Sequence, residues 1–210
     1  MSSLPVLSPA DDVPPGLAHD LAQLVPGQVR FDAHHRMLYA TDASIYQVEP
    51  LGVVIPTSPQ AMARVVEYLG RQRIAILPRG GGTSLPGQCT NRAVVIDHSA
   101  WCRRVLAVDA AARRCHVEPG ITIDELNRAL EARHTGLFFA PDPATAAQAA
   151  IGGCIGNNAA GARSIRYGRT SENVAGVEVV LTNGQPVGLA EAMIRSFFDD
   201  LFHGAQTLDG

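Results

Sequence analysis

Three consecutive glycines follow a short apolar run that has the composition of a β-strand. The run covers residues 74–77, Pro78 follows it, and residues 80–84 read Gly-Gly-Gly-Thr-Ser. Glycine loses the most backbone entropy on folding, so such a run indicates positive φ angles or a group that approaches the backbone closely. Successive N–H groups in such a turn can form a concave anion site. By itself the pattern is consistent with a phosphate-binding loop and with a tight surface loop.

Two common nucleotide-binding loops do not fit this stretch. A Walker loop ends in Gly-Lys-Ser/Thr, and this chain contains no lysine. A dinucleotide fingerprint has a third glycine three residues after the second, where this chain has Leu85. The flanking Arg79 and Gln88 nevertheless favour a phosphate site.

A second stretch, residues 150–161, holds four glycines, two adjacent asparagines and no charge. Small residues allow a flat apolar ring to lie against the backbone, and amides can hydrogen-bond its polar edge. The alternative is a close-packed helical turn capped by the asparagines.

Both stretches resemble the FAD-linked oxidases that have the p-cresol methylhydroxylase and vanillyl-alcohol oxidase type of FAD domain. Residues 78–87 contain the loop P-R-G-G-G-T-S-x-x-G, and residues 141–168 match much of the pattern P-D-P, then I-G-G and N-A-S-G-x-x-S-x-x-Y-G. Ala160 stands where that family usually has serine. The resemblance runs from about Asp42 to Gly184, and residues 42–46 are similar to the lead-in segment of longer members.

The resemblance implies an α+β fold: a two-subdomain FAD-binding domain of the p-cresol methylhydroxylase type, with FAD between the subdomains. Residues 1–47 would be an N-terminal arm and lead-in segment, and residues 48–210 the FAD-binding domain. The first subdomain would span about 48–100. The second would span about 101–210 and be incomplete at its C-terminal end.

The resemblance also implies three groups of cofactor contacts. The pyrophosphate would be held, chiefly by backbone N–H groups, by Pro78, Arg79, Gly80, Gly81, Gly82, Thr83, Ser84, Gly87 and Gln88. The flavin and ribityl chain would be lined by Pro141, Asp142, Ile151, Gly152, Gly153, Gly156, Asn157, Asn158, Ala160, Gly161 and Ser164. The adenine end would be approached by Val174 and Val179. No histidine lies between Pro78 and Gln88, so we expect non-covalent FAD.

Hydrophobic periodicity and capping residues predict the surrounding elements. Residues 1–15 are expected to be a loose arm. Helices are predicted over residues 16–25, from Ser58 to about 71, from Thr122 to about 133, and over 190–202. Strands are predicted over residues 53–55, 74–77, 94–97, 105–109, 115–120 and 177–181, with a turn at Asn183-Gly184.

Composition excludes several classes of function. The net charge of −3 gives no reason to expect nucleic acid, and the absence of lysine excludes a Schiff base. None of the four cysteines forms a C-x-x-C pair, and His34-His35 have no spaced third ligand, so we expect free thiols and no metal. No apolar run is long enough to span a membrane, and we expect a cytoplasmic protein, with peripheral contact at the inner membrane face left open.

The subgroup with the greatest resemblance contains D-lactate dehydrogenase, D-2-hydroxyglutarate dehydrogenase and the flavin-binding component of glycolate oxidase. It implies the FAD-binding portion of an enzyme that oxidises a D-2-hydroxy acid by hydride transfer to flavin N5. The subgroup's acid–base groups lie largely in a C-terminal cap, so no catalytic residue is assigned. The electron acceptor would be a quinone, a cytochrome or an iron–sulfur module, on a missing C-terminal part or a separate chain.

Two alternatives remain open at this point. One is a truncated or non-catalytic FAD-domain remnant, and the other is an NADPH-dependent reductase of the same fold. Arg163, Arg166 and Arg169 lie near the flavin stretch and are interpreted as solvated residues rather than as ligands of a substrate carboxylate.

Overall fold

The computed structural model describes residues 13–25 and 28–190. The helices are α1 (Leu17–Leu24), α2 (Ala33–Leu38), α3 (Pro59–Arg71), α4 (Ile123–Glu131), α5 (Ile151–Gly156) and α6 (Ser164–Tyr167), followed by a 3₁₀ turn at Thr170–Asn173. The strands are β1 (Val29–Arg30), β2 (Gly52–Val54), β3 (Ile76–Arg79), β4 (Val94–Asp97), β5 (Val105–Asp109), β6 (Arg114–Val117), β7 (Gly176–Val180) and β8 (Pro186–Ala190).

A four-stranded sheet has the order β1-β2-β4-β3, in which β2, β4 and β3 run parallel and β1 is antiparallel to β2. All of β4 is buried, because it lies between two neighbours. The sequence predicts that the strand over residues 74–77 ends before Pro78, but β3 continues to Arg79. Pro78 fits there because β3 lies at the edge of the sheet, where a missing N–H removes no necessary ladder bond.

The predicted helix after Ser58 is confirmed as α3. Ser58 accepts a hydrogen bond from the Ala61 N–H at 3.1 Å, and Pro59 occupies the first helical position, which needs no donor. Val65 and Leu69 are fully buried on the stripe that faces the sheet. These contacts form the first buried cluster, within residues 17–96.

A second buried cluster lies within residues 121–154 and joins α4 to α5. The predicted capping box is present, because Thr122 Oγ1 accepts from the Glu125 N–H while the Glu125 carboxylate accepts from the Thr122 N–H. The β5–β6 hairpin packs against this cluster through Val105, Val108 and Val117. The proposed division into subdomains near residue 100 stays a prediction.

The Asn183-Gly184 turn joins β7 to β8 as predicted, and it packs against α3. A methyl group at Gly184 would lie 2.7 Å from Glu67 Cβ, and Gly70 lies against the Thr182 carbonyl. The helix predicted from Ala190 differs at its first residue, because Ala190 pairs with Gly176 and ends β8. Residues 191–202 of that helix, and residues 1–12 of the predicted arm, lie outside the described residues.

Candidate cofactor site

The glycine loop, residues 80–88, begins at the carboxyl end of β3. Parallel strands in open sheets bind ligands beyond their carboxyl ends. Asp97, the last residue of β4, lies beside Arg79 in the register of the sheet, so the loop leaves the sheet next to a buried strand. The fold therefore presents this loop at an edge that suits ligand binding.

The backbone N–H groups at the start of the glycine loop donate no hydrogen bond within the described part of the protein. Within residues 13–25 and 28–190, no acceptor is in hydrogen-bonding position for the backbone N–H groups of Gly80 to Thr83. Gly82 has φ +64°, the left-handed region that side chains other than glycine rarely adopt. Unpaired successive N–H groups with a positive φ among them form an anion cradle, and this arrangement fits a pyrophosphate.

Gly80 and Gly81 bring the second stretch against this loop. A methyl group at Gly80 would lie 2.7 Å from Ala150 Cβ, and one at Gly81 would overlap the carbonyl oxygen of Gln148. Glycine is required here because two backbones approach each other closely. The two glycine-rich stretches that the sequence assigns to one cofactor are therefore neighbours in the structure.

Helix α5 has one buried face and one open face. Cys154 is buried in the second cluster, and Gly152 packs on Pro119. On the other side, no atom of the described residues outside the helix lies within 4 Å of a methyl group placed on Gly153 or Gly156. A smooth exposed surface of this kind fits the flat ring of a flavin.

Several predicted side chains are committed to the protein itself. Ile151 is buried in the second cluster, so it can offer a ligand only its backbone. Asn158 is buried with φ +45°, and its Oδ1 accepts from the Ser171 N–H at 3.0 Å. Asp142 Oδ1 accepts from the Arg163 N–H at 2.7 Å. These groups shape the second stretch from within.

The remaining predicted residues are distributed around these two stretches. Ser84 Oγ donates to Gln88 Oε1 at 2.9 Å, and Ser164 Oγ accepts from the Gly161 N–H at 3.0 Å. Asn157 and Ala160 are exposed, Pro141 is buried, and Gly87 has φ +83°. Val174 follows the 3₁₀ turn that contacts α5.

Val179 lies in the hairpin formed by β7 and β8. It belongs to β7, and the turn of that hairpin packs on the C-terminal half of α3. From the C-terminal end of α3 the chain continues into β3, and the glycine loop follows at the carboxyl end of that strand. The predicted approach of Val179 to the adenine end of the cofactor stays a prediction.

Sequence reasoning missed the role of the residues that precede the domain. The guanidinium of Arg79 donates to the carbonyls of Tyr39 at 3.3 Å, Thr41 at 2.8 Å and Cys89 at 3.1 Å. The Tyr39 hydroxyl donates to Asp97 Oδ2 at 2.5 Å; burial and this bond to a carboxylate raise the pKa of Tyr39 well above its usual range. No local pattern signals the contacts of Tyr39 and Thr41, because they join residues 38 to 58 positions apart.

Two of the arginines near the flavin stretch stack on exposed rings. Arg163 lies 5.6 Å from the centre of the Phe138 ring, and its Nε is 3.4 Å from Asp142 Oδ2. Arg166 lies 5.3 Å from the Tyr167 ring. Arg163 and Phe138 also line an open cavity of about 580 Å³.

Nowhere in residues 13–25 and 28–190 do three or more His, Cys, Asp or Glu side chains gather as a metal site would require. Among the same residues, no helix has the length and apolar character needed to cross a membrane.

A sequence model described as FAD binding domain matches residues 50–189, so the chain belongs to this family of FAD-binding domains. The D-2-hydroxyglutarate dehydrogenase of Escherichia coli (strain K12) is 37% identical over 171 residues, which cover 77% of this chain and 17% of that protein. The glycolate oxidase subunit GlcD of Bacillus subtilis (strain 168) is 34% identical over 164 residues, or 76% of this chain and 34% of that protein. The chain thus spans a minor part of the length of these relatives.

Solved structures confirm the expected fold. An alkyldihydroxyacetonephosphate synthase superimposes with a TM-score of 0.74 at 23% identity, covering 84% of this chain and 35% of that one. A p-cresol methylhydroxylase superimposes with a TM-score of 0.73 at 19% identity, covering 82% and 34%. The predicted α+β FAD-binding fold of the p-cresol methylhydroxylase type is therefore correct.

Proposed function

We propose that this chain is the FAD-binding portion of a flavin-dependent oxidoreductase that oxidises a D-2-hydroxy acid. The observation that carries the proposal is the row of N–H groups from Gly80 to Thr83, which have no acceptor among the described residues and lie beside residues 148–150, the segment that leads into α5. An anion cradle beside a smooth apolar surface suits a cofactor that has a diphosphate at its centre and a flat ring at one end. Membership in the FAD-binding family supports the same assignment.

The chain's own residues have three tasks in this proposal. The loop N–H groups donate to pyrophosphate oxygens, and no acceptor among the described residues competes for these donors. Gly153 and Gly156 keep the surface flat, and the buried Cys154 side of α5 anchors that surface to the second cluster. When bound, FAD supplies the capacity to accept two electrons from the substrate.

The substrate class follows from the relatives, whose names specify D-2-hydroxyglutarate and glycolate. We propose a small 2-hydroxy acid of the D-lactate, glycolate or 2-hydroxyglutarate type. The electron acceptor would be a quinone, a cytochrome or an iron–sulfur module, on another part of the protein or on a separate chain. A cytoplasmic location belongs to the same proposal and is supported by the four free thiols.

Non-covalent attachment of FAD is also proposed, because no histidine lies between Pro78 and Gln88. Acid precipitation of the loaded protein is expected to leave all flavin in the supernatant. Flavin that stays with the precipitate after washing would contradict this part of the proposal.

The full-length protein that carries these residues provides the test. We expect saturable binding of FAD, measured by quenching of flavin fluorescence, and then bleaching of the bound flavin by D-2-hydroxyglutarate, D-lactate or glycolate under anaerobic conditions. Absence of FAD binding would overturn the proposal. Bleaching by NADPH and by none of the hydroxy acids would instead favour the reductase alternative.

A further inference from the structure

We propose that residues 39–47, here called the clip, hold the glycine loop in the shape of its anion cradle. In this proposal Arg79 and Asp42 are positioning residues and do not themselves bind phosphate. The inference rests on the proposed binding of FAD. It extends the binding unit to residues that precede position 50, where the match to the family begins.

The clip is a small folded turn with its own hydrogen bonds. Thr41 and Gln47 form an antiparallel bridge, and the Val48 N–H donates to the Ala40 carbonyl at 2.8 Å. Asp42 Oδ1 accepts from the Ser44 N–H at 2.9 Å, which tightens the tip. The turn is therefore a defined element rather than a loose lead-in segment.

The clip contacts the glycine loop along its length. The Ala43 N–H donates to the Gly82 carbonyl at 3.0 Å, and Asp42 Oδ2 accepts from the Cys89 N–H at 3.1 Å. Between these two points, a methyl group on Gly87 would lie 2.5 Å from the Tyr46 ring. These two bonds tie the clip to the carbonyl of Gly82 and to the N–H of Cys89, just beyond the loop, and neither uses an N–H group from Gly80 to Thr83.

Arg79 links the clip to the strand beneath it. Its guanidinium donates to carbonyls on the clip and on the far end of the loop, and it lies 5.3 Å from the centre of the Tyr39 ring. Tyr39 is in turn bonded to Asp97 at the end of β4. The planar guanidinium can satisfy several carbonyls at once, which a compact ammonium group cannot do. Although Arg79 belongs to the loop motif, its donors are directed at protein oxygens.

The same loop is held from its other side by residues 148–150, against which Gly80 and Gly81 pack. Two separate segments of the chain therefore fix the loop, one on each side. Ordering a flexible loop on binding costs free energy. A cradle of N–H groups that is already held in place avoids this cost and binds the anion more tightly.

Asp42→Asn separates positioning from simple electrostatics. The substitution removes a negative charge near the cradle, so electrostatics alone predicts tighter binding of the FAD diphosphate. The clip model predicts weaker binding, because the amide cannot replace both carboxylate oxygens as acceptors and the bond from the Cys89 N–H is lost. We expect the dissociation constant of FAD to rise about tenfold.

The experiment uses the full-length protein and compares Asp42→Asn, Arg79→Lys and the control Asp109→Asn. Asp109 caps the β5–β6 turn by accepting from the Ala112 N–H, so its variant loses the same charge away from the loop. The readouts are FAD affinity, ADP affinity by competition, thermal unfolding of the apoprotein, and amide exchange in peptides that cover residues 80–90.

We expect Asp42→Asn and Arg79→Lys to weaken FAD and ADP binding and to accelerate exchange in the loop, whereas Asp109→Asn behaves as wild type. Equal or tighter FAD binding by Asp42→Asn, or full retention of affinity by Arg79→Lys, would overturn the clip and leave the proposed function intact. Failure of the wild-type protein to bind FAD would overturn both.

Discussion

Gly153 allows one substitution to affect folding and cofactor binding in opposite directions. Alanine is favoured over glycine inside a helix by about 1 kcal/mol, and within the described part of the chain no atom outside α5 lies within 4 Å of the added methyl group. Gly153→Ala should therefore raise the free energy of unfolding of the apoprotein. The same methyl group would stand on the face assigned to the flavin, so FAD binding should weaken. Urea denaturation and FAD titration measure the two effects.

Gly188→Ala is the matched control for this substitution. A methyl group added to Gly188 also has no atom of residues 13–25 or 28–190 within 4 Å, but Gly188 lies in β8. This variant should bind FAD as tightly as the wild type. Unchanged FAD affinity in Gly153→Ala would mean that the flavin does not lie on the open face of α5.

Cys154, on the other side of α5, should make stability depend on pH in alkaline solution. Burial raises the pKa of its thiol to about 11, against 9.0 for a solvated thiol. Because the folded-state pKa is the higher one, this contribution is fully present below pH 9 and is lost as the pH rises towards 11. The loss at pH 10 is on the order of 1 kcal/mol. Urea denaturation should show a flatter pH profile for Cys154→Ala than for wild type, and equal profiles would refute the assignment.

The residues at the start of α4 cap that helix, and they also position α5. The Ile123 N–H donates to the Ala149 carbonyl at 3.2 Å, and the Ile151 N–H donates to the Ile121 carbonyl at 2.9 Å. Thr122→Ala removes the side-chain acceptor of the capping box between these two bonds. It should lower the free energy of unfolding by about 1 kcal/mol and accelerate amide exchange in residues 149–156.

Ser58→Ala provides the comparison, because Ser58 caps α3 with one similar bond. It should cause a similar loss of stability while exchange in residues 149–156 stays at the wild-type rate. If both variants accelerate exchange there equally, the cap of α4 has no special influence on α5.

Elements with local signals were the predictable ones. The serine cap and proline of α3, the capping box of α4 and the buried run of β4 all depend on residues within one or two turns of chain. The path of β3 through Pro78 was not predictable, because it depends on β3 being an edge strand. The clip is not predictable from local sequence either. Arg79 donates to carbonyls of the clip that come near it only when the chain folds back on itself.

The candidate site also has a part that the sequence predicts and a part that it does not. Its glycines could be identified because a close approach of two backbones tolerates only that residue, so the motif itself records the contact between Gly81 and residue 148. Which predicted side chains face a ligand could not be read from the sequence. Ile151 and Asn158 belong to the motif, yet both are buried among protein atoms.

The glycine loop follows β3, whose Ile76 packs on the first buried cluster, and the loop itself packs on residues 148–150, of which Ala149 belongs to the second cluster. This arrangement predicts how binding spreads through the molecule. FAD that contacts both the loop and α5 should stabilise the folded state by about 2.7 kcal/mol at a concentration 100 times its dissociation constant. Amide exchange should then slow in residues 76–97 of the first cluster and in residues 121–156 of the second. ADP, which has the diphosphate but no flavin, should protect the loop and leave α5 near its unliganded rate. Protection of α5 by ADP equal to that by FAD would show that the flavin ring makes no contact of its own there, and protection confined to one cluster would exclude a cofactor that bridges them.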